Sequence, residues 1–509
     1  MRAVRLRLPV LALVLVVITT AAGAQDLASF EKRTSMRTLA NGLTVIIVER
    51  HESPVFSYAT FINAGSAQET PGITGLAHMF EHMAFKGSDR LGTSDWAGEQ
   101  AALKRVEEAY AAYDAARRAE TGRDDKKIAE FEKAWKDAIA EADKHVVNDE
   151  FSQVIDRAGG VGMNAFTSSD VTGYFFSLPS NRFELWAFME SERFRQPVFH
   201  QFYKERDVVM EERRMRTESS PIGRLVEEFL GTAFIAHPYG WNTVGYPSDL
   251  SSFSAEDAHE FFRKYYVASN MVITIVGDVN PAEAWPVIDK YFGRLPKAPR
   301  PEALATVEPP QRGERTVTLR ETSQPVYLEG YHRPAATHPD SPTYDVISML
   351  LSSGRTSRLY RSLVRDKKIA AQASGFNGFP GEKYPNLFVA FAVTTPGHTA
   401  DELATGIRAE LDRLKNEDVP ADELASVKTR VKAGLVRRLS SNSGLAEQLA
   451  SYQTLYGDWR ALFREVEAID KVTPADIRRV ANATFTANNR TVGKIERVDA
   501  AAAPKGGAQ

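Results

Sequence analysis

Gly75-Leu76-Ala77-His78-Met79-Phe80-Glu81-His82-Met83-Ala84-Phe85-Lys86-Gly87 is the stretch on which the rest of the chain turns. His78 and His82 stand four apart, so on a helix they lie one above the other and both imidazoles can reach one ion. Glu81 shares their turn, where a carboxylate can take a proton from water that a bound Zn²⁺ has acidified to near neutrality. Thr74 offers an N-cap hydroxyl and Gly87 a C′ residue, which would bound the helix. Leu76, Met79, Phe80 and Met83 form an apolar face, leaving the His/Glu stripe toward a cavity. The bland alternative is a core or surface helix that merely happens to hold two histidines. With ten histidines in 509 residues, such a match arises by chance on the order of one time in a hundred.

The composition, 43% hydrophobic and 25% charged, suits a soluble protein of two to four domains. Arg2, Arg5 and Arg7 precede an apolar run from Leu8 to Ile18, and Ala22-Gly23-Ala24 is a small-x-small cleavage pattern. Residues 1–24 therefore read as a secretory signal peptide, and the run is too short for a comfortable membrane span. Its removal takes away three arginines and moves the net charge from −3 to −6, which gives no support to nucleic-acid binding. The absence of cysteine excludes thiolate ligands and a cysteine nucleophile, leaving histidine and carboxylate donors. An exported, periplasmic protein of bacterial type is the expectation.

Around the metal stretch, Arg37-Thr38-Leu39, an Asn41-Gly42 turn and Leu43 to Val48 predict a hairpin, followed by a strand from Val55 to Asn63. Between residues 96 and 146 the chain becomes rich in Ala, Lys, Glu and Asp. Leu103, Val106, Tyr110 and Tyr113 make one helical stripe and Ile128, Phe131, Trp135, Ile139 and Ala142 another, with Thr121-Gly122-Arg123-Asp124 to turn between them. This predicts an inserted helical hairpin, either a partner or substrate surface or a solvated decoration. Strand patterns resume over Phe166–Leu178, a helix over Arg182–Phe194, a charged helix from about Gln201 to Thr217, and a buried strand over Met271–Val276. Proline-rich residues 296–312 suggest a linker. A second α+β region follows, with strands at Thr316–Leu319 and Val326–Gly330. Its helix near Tyr344–Leu351 carries no His-x-x-Glu-His. The general order of strands and helices is repeated, which reads as a structural repeat without the chemistry, although the similarity of the two halves in sequence is too weak to prove it.

A catalytic zinc site usually has a third protein ligand and one open position. Glu205 and Glu212 share one face of the charged helix, seven residues apart, but an ordinary charged face gives the same pattern. Several segments together resemble the M16 (pitrilysin/insulinase) metallopeptidases, most of all their mitochondrial processing peptidase-like branch. They are residues 75–87, Asn41-Gly42-Leu43, Gly65-Ser66 with Glu69, Asn164-Ala165-Phe166-Thr167, Glu205-Arg206-Asp207-Val208-Val209-Met210-Glu211-Glu212, His237-Pro238-Tyr239-Gly240 and Val276-Gly277-Asp278. The resemblance runs from about 36 to 495.

It implies His78, His82 and Glu212 as ligands of one Zn²⁺ per chain, and Glu81 as the general base. It also implies Glu205 as the carboxylate that orients a ligand and serves catalysis indirectly. Asn164, Ala165 and Phe166 would hold substrate backbone at a sheet edge. Glu211 would point about 100° away from Glu212 around the helix, and His237 would be structural. The implied fold is α+β, two similar α/β-sandwich domains: a catalytic domain over 36–295 with the insertion at 96–146, the linker 296–312, a second domain over 313–497, and a disordered tail from 498 to 509.

Two departures stand out. His82 and Glu212 are 130 residues apart, a long spacing for the family, for which the insertion accounts. Family members also use an Arg and, seven residues later, a Tyr on the second half to grip peptide. Arg365 matches the Arg, but Gln372 stands at the Tyr position and has no phenol to donate. The implied chamber needs four such domains and this chain has two. A dimer is therefore expected, either with a second M16-type subunit that supplies the Arg/Tyr pair or with a second copy. The expected activity is zinc-dependent endopeptidase cleavage of peptides or unfolded segments inside a closed chamber. The rival is a non-catalytic M16-like subunit for assembly or peptide binding.

Overall fold

A computed structural model describes residues 27–498. The expected leader at 1–24 and the tail beyond Val498 lie outside those residues. Among the described residues no helix is long and apolar enough to cross a membrane.

The Asn41-Gly42 turn does join a hairpin, β1 (Thr34–Thr38) and β2 (Thr44–Glu49), paired antiparallel from Thr34↔Val48 to Thr38↔Thr44. Asn41 secures it by donating to the carbonyls of Phe292 and Leu295. The helix Leu27–Arg33 and the start of β1 precede residue 36, so ordered structure begins earlier than the sequence pattern suggested. The strand pattern over Phe166–Leu178 resolves into the end of one strand and most of the next, because Ser168–Val171 close a turn between them. With β3 (Val55–Ile62), β4 (Val161–Thr167), β5 (Thr172–Pro179) and β6 (Met271–Gly277), the first sheet has the order β1-β2-β6-β3-β5-β4. Only β2 and β6 run parallel. β6 is buried at every residue, in keeping with its unbroken apolar sequence at the middle of a sheet covered on both faces.

The second sheet comprises β7 (Arg315–Glu321), β8 (Val326–Arg333), β9 (Ala370–Phe379), β10 (Asn386–Thr394) and β11 (Arg490–Arg497), in the order β7-β11-β8-β10-β9. Again the first strand of the half runs parallel to its last, β7 to β11, and all other pairs are antiparallel. Set β1 aside, and both sheets follow one plan: first, last, second, fourth, third. The two halves are a structural repeat that the sequence alone could not prove.

Eight helices matter below: α1 (Leu76–Met83), α2 (Trp96–Arg117), α3 (Asp125–Ala142), α4 (Phe202–Arg213), α5 (Pro221–Ala233), α6 (Ser341–Ser352), α7 (Ala421–Ser440) and α8 (Asn442–Tyr456). The halves are interlocked rather than strung on a linker. α5, from the first half, lays Leu225, Phe229 and Leu230 against Leu328, Val389 and Ile495 of the second sheet. A Cβ at Gly330 would fall 2.6 Å from the Phe229 ring, so only glycine admits this close approach. In return, α8 sets Leu445, Ala446 and Leu449 against Ile46, Val48, Ala59 and Val276 of the first sheet. The proline-rich 296–312 segment has no helix or strand. It is pinned by Glu308, whose carboxylate accepts the backbone N–H groups of Ile235, Ala236 and His237.

The insertion is the helical hairpin α2–α3, with Asp95 and Asp124 as N-caps. Its ends are tied by a Thr93↔Val146 bridge. It is not a solvated decoration, since Val106, Tyr110, Trp135 and Ala142 belong to the same core as Met79 and Phe80 of α1.

Candidate metal centre

α1 starts without the Thr74 cap expected from sequence. The Thr74 hydroxyl instead donates to Asp249 at 2.7 Å. Gly75 takes the N-cap position at φ 91°, where a Cβ would lie 2.4 Å from the Val244 carbonyl oxygen. Buried Glu69 does the capping from outside the helix, accepting Gly75 N–H at 2.9 Å and Ala77 N–H at 2.7 Å. A carboxylate there satisfies two of the orphan donors and complements the positive end of the helix dipole. The helix ends at Ala84, three residues before Gly87. As expected, Leu76, Met79, Phe80 and Met83 are buried, and Phe80 packs against Phe199, Phe261 and Phe262.

With that face anchored, the polar stripe meets α4. His78 Nε2 and His82 Nε2 lie 3.6 Å and 3.4 Å from the same oxygen, Glu212 Oε2. One ligand atom from each of the three lies within 4.8 Å of the others. Two turns up α4, Glu205 Oε1 holds His82 Nδ1 at 2.9 Å while its other oxygen meets Lys86 Nζ at 2.6 Å. The register argument for α4 holds: Glu205 and Glu212 both face α1, whereas Glu211 turns out to pair with Arg214. Beyond Glu212 the helix widens into a π turn over Arg214–Glu218, which brings Arg216 Nη1 to 2.7 Å from Glu212 Oε1. Glu81 takes a hydrogen bond at 2.7 Å from the Thr167 hydroxyl, at the end of β4.

Burial, with the nearby charges of His82 and Arg216, pushes the His78 imidazole down to about 3, so it is neutral and has a free lone pair. Burial acts the same way on His82, but Glu205 as hydrogen-bond partner and the charges of Glu205, Glu212 and Glu81 raise it overall. Burial also works against ionised Glu205, yet the His82 and Lys86 contacts hold it down at about 2. Glu81 is raised by burial, partly offset by the Thr167 hydroxyl. Two imidazoles and a carboxylate, converging in a neighbourhood of three carboxylates and two cations, fit a divalent cation of borderline softness such as Zn²⁺.

The other expected residues are placed as follows. Asn164 is exposed on β4, the edge strand of the first sheet, and its Oδ1 accepts the N–H of Ala165. Ala165 is half-buried, and Phe166 packs on Phe61 and Phe175. Arg365 is exposed and paired with Asp366, and Gln372 is exposed on β9; the cluster of His78, His82 and Glu212 is built from the first half. Buried His237 caps a short turn by accepting Tyr239 N–H, a structural role. Sequence reasoning had given no task to Thr167, Lys86 or Arg216. Lys86 was the most legible of these, one helical turn from His82, whereas Thr167 and Arg216 reach the site only through tertiary folding.

Residues 44–109 match the family model described as insulinase (peptidase family M16), and residues 252–431 match the one described as peptidase M16 inactive domain. The zinc protease PqqE of Helicobacter pylori is 30% identical over 480 residues, covering 92% of this chain and 94% of that one. The chain belongs to peptidase family M16. The crystal structure of a protease from H. pylori resembles this M16 chain with a TM-score of 0.76 at 28% identity, over 91% of this chain and 99% of that one. The periplasmic protease PqqL of Escherichia coli shares the fold, with a TM-score of 0.66 at 16% identity. This M16 chain spans 49% of PqqL but 92% of a structure of the first half of PqqL. The match described as inactive excludes His78, Glu81, His82 and Glu212. It falls mostly on the half without the cluster.

Proposed function

We propose that this chain is a zinc metalloendopeptidase in which His78, His82 and Glu212 hold one Zn²⁺ and Glu81 is the general base. The observation that carries this reading is the convergence of the three donors, with the Glu81 carboxylate on the helix that bears His78 and His82. Bound Zn²⁺ would supply Lewis acidity toward the scissile carbonyl and the attacking water. Thr167 fixes Glu81 through Oε2, leaving Oε1 to accept a proton from that water and later return it to the leaving amine nitrogen. Burial raises the proton affinity of Glu81 toward the range a base needs near neutral pH. Glu205, by holding His82 Nδ1, would direct Nε2 at the metal. β4, whose outer edge is unpaired in the sheet order, could add an extended peptide as a further strand that leads to Thr167 and Glu81.

Among the described residues the chain carries one such centre and two α/β domains, and it covers about half of PqqL. This supports assembly with a second M16-type subunit, or with a second copy, that places an Arg-bearing surface opposite the zinc. Arg365, exposed and paired with Asp366, suits that role across an interface. The leader pattern at 1–24 supports export, and a periplasmic location is the corresponding proposal.

Glu81→Gln tests the chemistry. The variant should keep zinc and bind peptide while cleavage falls by roughly 10³-fold. Wild-type cleavage by this variant would remove Glu81 from the role, whereas a zinc-loaded wild-type protein that cleaves no peptide would favour the non-catalytic rival. Light scattering with activity assays tests the assembly, and full activity in an isolated monomer would exclude the need for a second half.

A further inference from the structure

The insertion has no counterpart in the second half, yet it reaches the helix that carries Glu205 and Glu212. Arg206 follows Glu205 directly, about 100° around α4. It is buried, and its guanidinium lies over the rings of Tyr203, Tyr110 and Trp135 at 4.9, 5.2 and 5.7 Å. Its Nη1 donates to Tyr110 Oη and to the Phe253 carbonyl, each at 3.0 Å. Tyr110 belongs to α2 and Trp135 to α3, so both arms of the insertion close on one arginine. Tyr203 is tied to the insertion as well, its hydroxyl donating to Glu107 at 3.1 Å. A buried cation held by aromatic faces and two acceptors has little freedom, because any displacement leaves its charge uncompensated.

A second clamp acts just before α4 begins. His200 Nδ1 lies 2.6 Å from Glu99 Oε1 of α2, and its Nε2 lies 3.2 Å from the Ser88 carbonyl. Both side chains are fully buried. The next residue, Gln201, enters the helix at φ 57°. α4 has twelve residues and opens into a π turn directly after Arg213, so its own pitch does not secure the azimuth of its carboxylates. That azimuth matters. At the ~5 Å radius of helix side chains, 20° of rotation shifts a carboxylate by roughly 2 Å, about ten times what a metal–ligand distance tolerates.

We propose that Arg206, gripped between Tyr110 and Trp135 of the insertion, is a positioning residue for the metal centre. It sets the rotation of α4 at which Glu205 meets His82 and Glu212 meets both imidazoles. The inference rests on the zinc reading above. It assigns the insertion an internal task, in place of the partner surface or decoration that its sequence suggested.

Tyr110→Phe removes the hydroxyl acceptor and keeps the ring. Arg206→Lys keeps the charge and removes the planar fork. Both are compared with the wild-type full-length protein and with Lys133→Ala, an exposed change on α3. The readouts are zinc affinity by chelator competition, the visible spectrum of the Co²⁺-substituted protein, and the melting of the metal-free protein. Zinc affinity should fall about tenfold in Arg206→Lys and several-fold in Tyr110→Phe. The Co²⁺ bands should shift in both variants, while Lys133→Ala matches wild type. Unchanged affinity and bands in Tyr110→Phe and Arg206→Lys, whatever their melting temperatures, would reduce Arg206 to a packing residue. If Arg206→Lys does not fold, Tyr110→Phe decides. A wild-type protein that takes up no zinc is a different result, and it overturns the metal reading instead.

Discussion

The two halves share one strand plan, but the helix between the second and third strands of that plan does opposite things in each. In the first half, α1 turns His78 and His82 to Glu212 of α4, and Glu81 takes a side-chain hydrogen bond from Thr167 of β4. In the second half, α6 spends its polar face on the edge strand β9. Ser348 and Ser352 both donate to the Gly375 carbonyl, at 3.1 and 2.6 Å, Ser352 accepts the Gly375 N–H, and Asp345 accepts from Asn377. The next pair of elements differs in the same sense. α4 supplies carboxylates to α1, whereas α7 supplies Arg430 to the Ser353 carbonyl at the end of α6. One half gathers its polar groups into a His-His-Glu cluster and leaves β4 unpaired at the sheet edge. The other ties its helix to the edge strand at Gly375. A repeated frame therefore does not carry chemistry with it; the side chains placed on that frame do.

The sharpest way to break this contrast is to substitute a polar residue on each of the two helices. His82→Ala should bring zinc to background and cleavage down by ~10³-fold or more, whereas Ser348→Ala on α6 should leave one zinc per chain. Zinc analysis of both purified variants decides it, and equal zinc loss would erase the asymmetry. The next largest effect concerns what the halves have in common. Because each lends a helix to the other's sheet, Phe229→Ala in α5 should cost about 3–5 kcal/mol. Leu449→Ala in α8 should cost about 2–5 kcal/mol. In both variants the whole protein should melt in one shifted calorimetric transition. Two transitions, with only the second sheet weakened in Phe229→Ala, would show independent halves.

Much of the first half was legible because its signals are local. The His78/Glu81/His82 stripe follows from the helical period, and the Asn41-Gly42 hairpin from turn chemistry. Glu205 and Glu212 share a face by their seven-residue spacing, though choosing Glu212 over other carboxylates needed the family resemblance. Thr74 failed as a cap because Asp249, 175 residues away, took its hydroxyl, and Glu69 reached the helix end in its place. The insertion read equally as a partner or substrate surface or as decoration, because a stripe of tyrosines and a tryptophan does not say which helix it will cover. The repeat was suggested by the order of strands and helices but could not be proved from sequence, because strand order is fixed by pairing between distant segments, and two sequences can satisfy it with different residues.

Within the first half, Glu205 separates ligand orientation from ligation. Glu205→Ala removes the partner of His82 Nδ1 but none of the three donors. Zinc affinity should fall by about 10–100-fold, while cleavage at saturating zinc is largely retained. Chelator competition measures the first and assays in excess zinc the second. Complete loss of activity in excess zinc would give Glu205 a direct part in the reaction.

The smallest effect is expected where the second half closes itself. Ser352→Ala strips the Gly375 N–H of its side-chain acceptor and leaves Gly375 O bonded to Ser348 alone. Gly375 is buried, so the orphaned donor should cost about 1–2 kcal/mol. Zinc affinity should not move, because α6 has no contact with the cluster. Hydrogen exchange provides the local check: the amides of β9 should lose protection while those of β4 do not change. If β9 keeps its protection, the serines are not what seals that edge. The open edge of β4 would then owe nothing to the absence of such serines on α1.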